Sequence, residues 1–207
     1  MPINLTNASK ALLRKAYGAS RRVTALTLQQ FARSDVALLL AKAGQYDQAI
    51  QIVKATDAQA PKLRLLTQLA YVFAQAGKKE AAEKLLSEAY QLTSFSSGTY
   101  FQARDIVEVA NAYSAIGKRA RATMLLAVAT GVLDGIKSPT NKGLIFSDIA
   151  VSYLILGDDN SAFRMAERIE VESNVKLLTL LEIASKYAEA EQLMRMKDRL
   201  TNELMRP

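Results

Sequence analysis

One short helical pattern recurs five times along this chain, and this recurrence limits the possible folds more than any other feature of the sequence. Each copy is an apolar helix that ends near a glycine, followed by a second helix with an alanine soon after the turn. The anchor positions are Gly44, Gly77, Gly117 and Gly157, with Glu191 in the fifth copy, and they lie 33, 40, 40 and 34 residues apart. Periods of about 20 to 50 residues indicate stacked repeat units, each too small to bury its apolar face alone.

The same residue types return at the same distance from each anchor. Alanine stands seven residues before it and a large side chain four residues before it: Ala37 and Leu40, Ala70 and Phe73, Ala110 and Tyr113, Ala150 and Tyr153, Ala184 and Tyr187. A second alanine follows five residues after the glycine, at Ala49, Ala82, Ala122 and Ala162. We expect the first alanine and the large residue to share one packed helical stripe, and the glycine to cap the helix. Unrelated amphipathic helices in a bundle would explain one copy, but not five in register.

At these residues the chain resembles the tetratricopeptide repeat family. The family signature has a small residue on the first helix, an aromatic three residues on, and an alanine on the second helix, as at Ala70, Phe73 and Ala82. The resemblance covers roughly residues 30 to 206 and implies an all-α superhelical solenoid of about five helix-turn-helix units with an extra N-terminal helix. The chain has no tryptophan, which leaves a related α-solenoid open. Its two 40-residue periods predict an extra helical turn or a longer loop in SFSSGTYFQ and DGIKSPTNKG.

We therefore divide the chain into a basic amphipathic N-terminal helical segment, residues 1–30, and a helical repeat domain, residues 31–207. The net charge is +7, and no acidic residue occurs before position 35. An apolar stripe of Leu12, Leu13, Ala16 and Tyr17 predicts that the first segment covers the open end of the solenoid. The alternatives are an organelle transit peptide, an anchor on anionic lipid and, least favoured because no recognition motif is present, a nucleic-acid contact. The cations available for an anionic surface are Lys10, Arg14, Lys15, Arg21 and Arg22.

By the resemblance, the first helix of each unit lines a concave groove that binds a partner. The candidate groove residues are Arg64, Gln68, Tyr71, Gln75, Arg104, Glu108, Asn111 and Asp148. One register of the repeat holds Asp35, Gln68, Glu108, Asp148 and Glu182, of which four are acidic. We hypothesise that the groove prefers extended or helical peptides with amide, Lys or Arg groups. The alternative is a row of solvated charges, some paired at i,i+4, as Arg104 with Glu108.

The fourth unit is less polar than the others. Its first helix carries Leu144, Val151, Leu154 and Ile155 on the face that lines the groove in the other units. We expect this apolar floor to pack under a C-terminal helix from about Gln192 to Met205. The alternative is that it receives the apolar side chain of a partner.

Catalysis has little support in the sequence, which contains no histidine and no cysteine. The commonest general base and metal ligand is therefore missing, as are thiolate nucleophiles. Asp158 and Asp159 stand in a turn between helices, where acids complement the helix dipole, so we interpret them as capping residues. We expect a non-catalytic protein-interaction module or scaffold, without cofactor or metal, that binds a protein or peptide. We expect a cytoplasmic location, with organelle targeting as the alternative.

Overall fold

The computed structural model describes residues 7–20, 26–170 and 174–186, and every regular element within these ranges is a helix. This result confirms the all-α prediction. The α-helices are α1 (Asn7–Ser20), α2 (Leu26–Lys42), α3 (Tyr46–Lys54), α4 (Gln59–Gln75), α5 (Lys79–Leu92), α6 (Thr99–Ala115), α7 (Arg119–Val132), α8 (Pro139–Ile155), α9 (Asp159–Glu167) and α10, covering 174–186. The chain forms two compact units, Met1–Ala129 and Thr130–Pro207.

Helices of the first unit are arranged as successive hairpins, each with a long first helix, a short turn and a second helix. The first helices α2, α4 and α6 all have 17 residues. Within each hairpin α2 contacts α3 and α4 contacts α5, and between hairpins α2 contacts α4 and α4 contacts α6. The three first helices therefore lie side by side. In the second unit α8, again 17 residues long, forms the same kind of hairpin with α9.

The glycine of each turn has the backbone conformation that the sequence predicts. Gly44, Gly77, Gly117 and Gly157 have φ values of 77°, 78°, 82° and 71°. In the second hairpin the Lys78 amide donates to the Phe73 carbonyl at 2.9 Å, and the Gly77 amide donates to the Ala74 carbonyl at 2.9 Å. The same two bonds recur at the other three glycines. Together they form the Schellman motif, which ends a helix where a residue without a side chain adopts a left-handed conformation.

The small and large residues of the repeat are buried together in the first four copies. Ala37, Ala70, Ala110 and Ala150 are at most 1% exposed, and the alanines of the second helices, Ala49, Ala82, Ala122 and Ala162, are fully buried. The large residues four positions before the glycines, Leu40, Phe73, Tyr113 and Tyr153, are at most 7% exposed. The fifth copy differs, because Ile183 is buried but Ala184 is exposed. The second helix predicted for that copy lies outside the described residues.

The longer periods of the second and third copies come mainly from their second helices. α5 and α7 have 14 residues, whereas α3 and α9 have nine. Short 3-10 turns, Thr93–Phe95 and Leu133–Gly135, follow α5 and α7. The extra helical turn expected from the 40-residue spacing is therefore present, but it lies at the ends of α5 and α7, before SFSSGTYFQ and DGIKSPTNKG and not within them.

Candidate functional site

The first helices of the first unit line an open groove, which we call the central groove. Its volume is about 650 Å³. It contains five of the eight predicted groove residues: Gln68, Tyr71, Gln75, Glu108 and Asn111. Leu38 and Lys42 of α2 form its other edge. The structure thus brings together most of the side chains that the repeat register placed on one surface.

Matching lengths of α2, α4 and α6 place the groove side chains in rows. The rows, from the carboxyl ends of the helices, are Lys42, Gln75 and Ala115, then Leu38, Tyr71 and Asn111, then Gln68 and Glu108. Asp35 has the equivalent position on α2 but does not line the groove. The middle row has an aromatic ring at its centre, and Tyr71 is 46% exposed there. Tyrosine presents both an apolar ring and a polar hydroxyl to a ligand. Amide side chains next to it can donate and accept hydrogen bonds.

Glu108 is the acidic side chain of the central groove, and it is half-buried. Its Oε1 lies 3.1 Å from the hydroxyl of buried Thr67, which also lies 2.8 Å from the carbonyl of Arg64. The single hydroxyl proton of Thr67 is shared between these two acceptors. Within the described ranges no Lys or Arg nitrogen lies within 4.0 Å of the Glu108 carboxylate. The carboxylate therefore has one partial hydrogen bond and no ion-pair partner in this part of the chain.

Arg104 turns away from the central groove. Its Nη2 lies 3.6 Å from Asp105 Oδ1, and its guanidinium carbon lies 5.0 Å from the centre of the Phe101 ring. The i,i+4 pair between Arg104 and Glu108, part of the alternative reading of the sequence, does not form, and the guanidinium instead contacts Asp105 and Phe101. Arg64 is exposed and does not line the central groove.

A second cleft lies at the amino ends of α4 and α6, and the repeat pattern of the sequence does not predict it. Arg104 lines it together with Phe95, Phe101, Ser96 and Asp105, in a volume of about 340 Å³. Phe95 is 62% exposed and Phe101 is 42% exposed. The two phenylalanines in the segment SFSSGTYFQ are the signal that could have indicated this cleft.

The predicted residues of the fourth unit lie in the second compact unit. Asp148 of α8 is exposed there. On the apolar floor Leu144 is 39% exposed and Ile155 is 59% exposed, while Val151 and Leu154 are half-buried. The C-terminal helix predicted to cover them lies outside the described residues. A neighbouring contact joins α10 to α8, where the Thr179 hydroxyl donates to Ser147 Oγ at 2.7 Å.

The N-terminal helix α1 contacts α2, as an extra helix at the end of the repeats should. The predicted apolar stripe is only partly buried, since Leu13 and Tyr17 are half-buried whereas Leu12 and Ala16 are exposed. Leu13 and Tyr17, at an i,i+4 spacing, therefore form the less exposed side of α1. Of the predicted surface cations, Arg14 and Lys15 are exposed on α1. The side chain of Lys10, and Arg21 and Arg22, lie outside the described residues.

Asp158 caps α9, as its position in the sequence predicts. Its Oδ1 accepts from the Ser161 amide at 3.0 Å, and its Oδ2 accepts from the Ser161 hydroxyl at 2.7 Å. These hydrogen bonds stabilise the ionised carboxylate and hold the pKa of Asp158 below its ordinary value of 3.8. Burial raises the pKa of the nearby Tyr153. The arrangement is that of a helix cap and not of a catalytic pair of carboxylates.

Similarity to known proteins adds no family to these observations. No known protein-family model matches the chain, and a search of curated proteins finds no significant relative.

In the described ranges, no group of three or more acidic side chains is arranged to hold a metal ion. None of the helices described here combines the length and the apolar character needed to cross a bilayer.

Proposed function

We propose that the chain is a non-catalytic scaffold related to the tetratricopeptide repeats, whose hairpins are the units of a superhelix. Two kinds of observation support this proposal. The same glycine turn and the same buried alanines recur in four hairpins. In the first unit each first helix packs on the first helix of the next hairpin, which is the nearest-neighbour packing of a repeat protein.

The central groove is the surface on which we propose that a partner peptide or helix binds. The observation that carries this proposal is the row of Leu38, Tyr71 and Asn111, which presents an exposed aromatic ring between an aliphatic and an amide side chain. Aromatic anchors supply large contact areas in protein interfaces. The groove is already formed by packed helices, so little conformational entropy is lost on its side when a ligand binds.

Selection of ligands from a library of short random peptides on the immobilised full-length chain tests this proposal. We expect the selected peptides to bind the wild-type chain and to bind Tyr71→Ala about tenfold or more weakly, since hot-spot aromatics typically contribute at least about 2 kcal/mol. Met124→Ala is the matched control, because Met124 of α7 is 43% exposed and lies outside the groove. Equal loss in both variants, or no loss in Tyr71→Ala, would reject the central groove as the binding surface.

A second candidate function rests on α1, where Leu12 is 65% exposed and both Arg14 and Lys15 are exposed. An apolar side chain beside cations suits the surface of an anionic membrane. We expect the full-length chain to co-sediment with phosphatidylserine vesicles at about 150 mM salt, and Arg14→Glu with Lys15→Glu to abolish this. Lys79→Glu with Lys84→Glu, at two exposed cations of α5, is the control of equal charge change. Equal binding by the two double variants would exclude α1 as the contact.

A further inference from the structure

We infer that the central groove selects peptide segments in which a Lys or Arg side chain stands two or three residues from an apolar side chain. The cation pairs with Glu108, and the apolar side chain packs on Tyr71 and Leu38. This inference rests on the proposed function, because it assumes that the central groove binds peptides. It goes further by naming the chemistry that the groove recognises.

The carboxylate of Glu108 has few hydrogen-bond donors within the protein. Apart from the shared proton of Thr67, none of the described residues donates a hydrogen bond or a positive charge to it. A carboxylate has lone pairs on both oxygens and can accept several donors. Thr67 is 6% exposed and reaches the carboxylate from the neighbouring helix α4. A cationic side chain from a ligand would supply the missing donors through charge-assisted hydrogen bonds.

Neither the cation one turn before Glu108 on α6 nor the cation that lines the groove on α2 pairs with Glu108. Arg104, one turn before Glu108 on α6, is held by Asp105 and Phe101. Lys42 ends α2, two rows from the row of Glu108, which corresponds to seven residues or about 10 Å along a helix axis. Neither residue therefore neutralises Glu108, and the groove keeps a negative charge at the end opposite to Lys42.

Tyr71 and Leu38 form the apolar part of the groove and lie one row from Glu108. The two rows differ by three residues, or about 4.5 Å along a helix axis, and the axes of packed helices such as α4 and α6 lie about 8 to 10 Å apart. Successive residues of an extended peptide are about 3.3 Å apart. Residues two or three apart in such a peptide can therefore reach Glu108 and Tyr71 together. A lone cation would leave the exposed ring of Tyr71 uncovered, and a lone apolar residue would leave Glu108 unpaired.

Because the chain itself is positively charged, a preference for cationic peptides would indicate a specific negative site in the groove. The whole chain carries +7, so its long-range field attracts anionic peptides and repels cationic ones. A non-specific electrostatic effect would enrich acidic sequences. Enrichment of Lys or Arg must instead come from a local negative group, and about 150 mM salt reduces the long-range contribution further.

Random-peptide selection on four full-length proteins tests the inference: wild type, Glu108→Gln, Glu108→Lys and Glu80→Gln. We expect wild type and Glu80→Gln to enrich Lys or Arg two or three residues from an apolar residue, because Glu80 is an exposed acid at the start of α5, outside the groove. Glu108→Gln keeps an acceptor for Thr67 but should lose the preference, with binding of the wild-type peptides weakened about two- to fivefold. Glu108→Lys should select Asp or Glu instead.

The outcomes separate this inference from the function on which it rests. The inference is overturned if the selected peptides bind Tyr71→Ala weakly but contain no excess of Lys or Arg. It is also overturned if the preference for Lys or Arg survives in Glu108→Gln. In both cases peptide binding in the groove stands, provided that it depends on Tyr71. If no selected peptide depends on Tyr71, both are overturned. Circular dichroism and thermal denaturation of the four proteins and of Tyr71→Ala establish that the substituted chains remain folded.

Discussion

Ser96 Oγ donates a hydrogen bond to Asp105 Oδ2 at 2.6 Å, and this contact attaches the connection between α5 and α6 to the first turns of α6. Asp105 is only 7% exposed, although it is charged. Buried carboxylates are costly unless they receive hydrogen bonds or lie near a cation. The Ser96 hydroxyl supplies a hydrogen bond to Asp105. Arg104, whose Nη2 lies 3.6 Å from Asp105 Oδ1, supplies a positive charge.

Replacing Ser96 by alanine should destabilise the protein by about 1 to 3 kcal/mol, because a buried acceptor loses its donor. Urea denaturation of the full-length chain measures the change in free energy of unfolding. Ser94→Ala is the matched control, since the exposed Ser94 hydroxyl donates only to the Gln91 carbonyl of the preceding turn. A loss no larger than that of Ser94→Ala would show that Ser96 does not stabilise Asp105.

Two glycine substitutions should have opposite effects on stability. Gly117 has φ of 82°, whereas Gly131 lies in helical α7, and a Cβ added at either position meets no atom within 4 Å. Gly117→Ala should cost about 1 to 2 kcal/mol, because the left-handed conformation is strained for a residue with a side chain. Gly131→Ala should stabilise by about 0.5 to 1 kcal/mol through helix propensity. Thermal denaturation followed by circular dichroism distinguishes the two signs, and a shift of both midpoints in the same direction would contradict this account.

Enlarging a repeat alanine should disturb the packing of neighbouring helices. Ala110 of α6 is 1% exposed, so Ala110→Leu should cost about 1 to 3 kcal/mol or more by overpacking. Ala120→Leu, at an exposed position of α7, is expected to change the free energy of unfolding by less than about 0.5 kcal/mol. If the two variants unfold at the same urea concentration, Ala110 does not mark a close helix contact.

The cap at Asp158 should make stability depend on acid pH. Its hydrogen bonds to Ser161 lower the pKa of Asp158 in the folded state, so the folded state binds a proton less readily than the unfolded state. The stability from the cap is therefore complete above the ordinary value of 3.8 and is lost as the pH falls below it through the lowered folded pKa. Asp158→Ala should cost about 1 kcal/mol at neutral pH, as N-cap losses typically do.

The test is to measure the free energy of unfolding of wild type and Asp158→Ala between neutral pH and pH values below 3.8. The difference between the two proteins should shrink as the pH falls through that range. Asp159→Ala is a suitable control, because Asp159 lies in the same first turn of α9 but is not its cap. A difference that stays constant with pH would mean that the ionised form of Asp158 does not stabilise the cap.

Most of the fold could be predicted because its determinants are local and repeated. A glycine such as Gly77 needs only the left-handed conformation that ends its helix. The burial of Ala70 and Phe73 could be predicted because their spacing places them on one face of a helix, and one face of each helix must be buried. Five groove residues were found for the same reason, since equal positions in a repeat share a surface.

Side-chain choices between competing partners could not be predicted from spacing. Arg104 is one turn from Glu108 and adjacent to Asp105, and only the three-dimensional arrangement shows that it approaches Asp105 and stacks on Phe101. The hydroxyl of Thr67 near Glu108 joins residues that are 41 positions apart. Such a contact depends on how two helices are set against each other, which no local pattern specifies.

Equal lengths of α2, α4 and α6 mean that a side chain can be moved from one of these helices to the next without changing its height in the groove. Tyr71 and Asn111, for example, occupy the same offset from the ends of α4 and α6. Under the function that we propose, the groove could therefore be re-engineered by exchanging these positions between hairpins. Adding or removing a hairpin would then widen or narrow the proposed binding surface by one column of side chains.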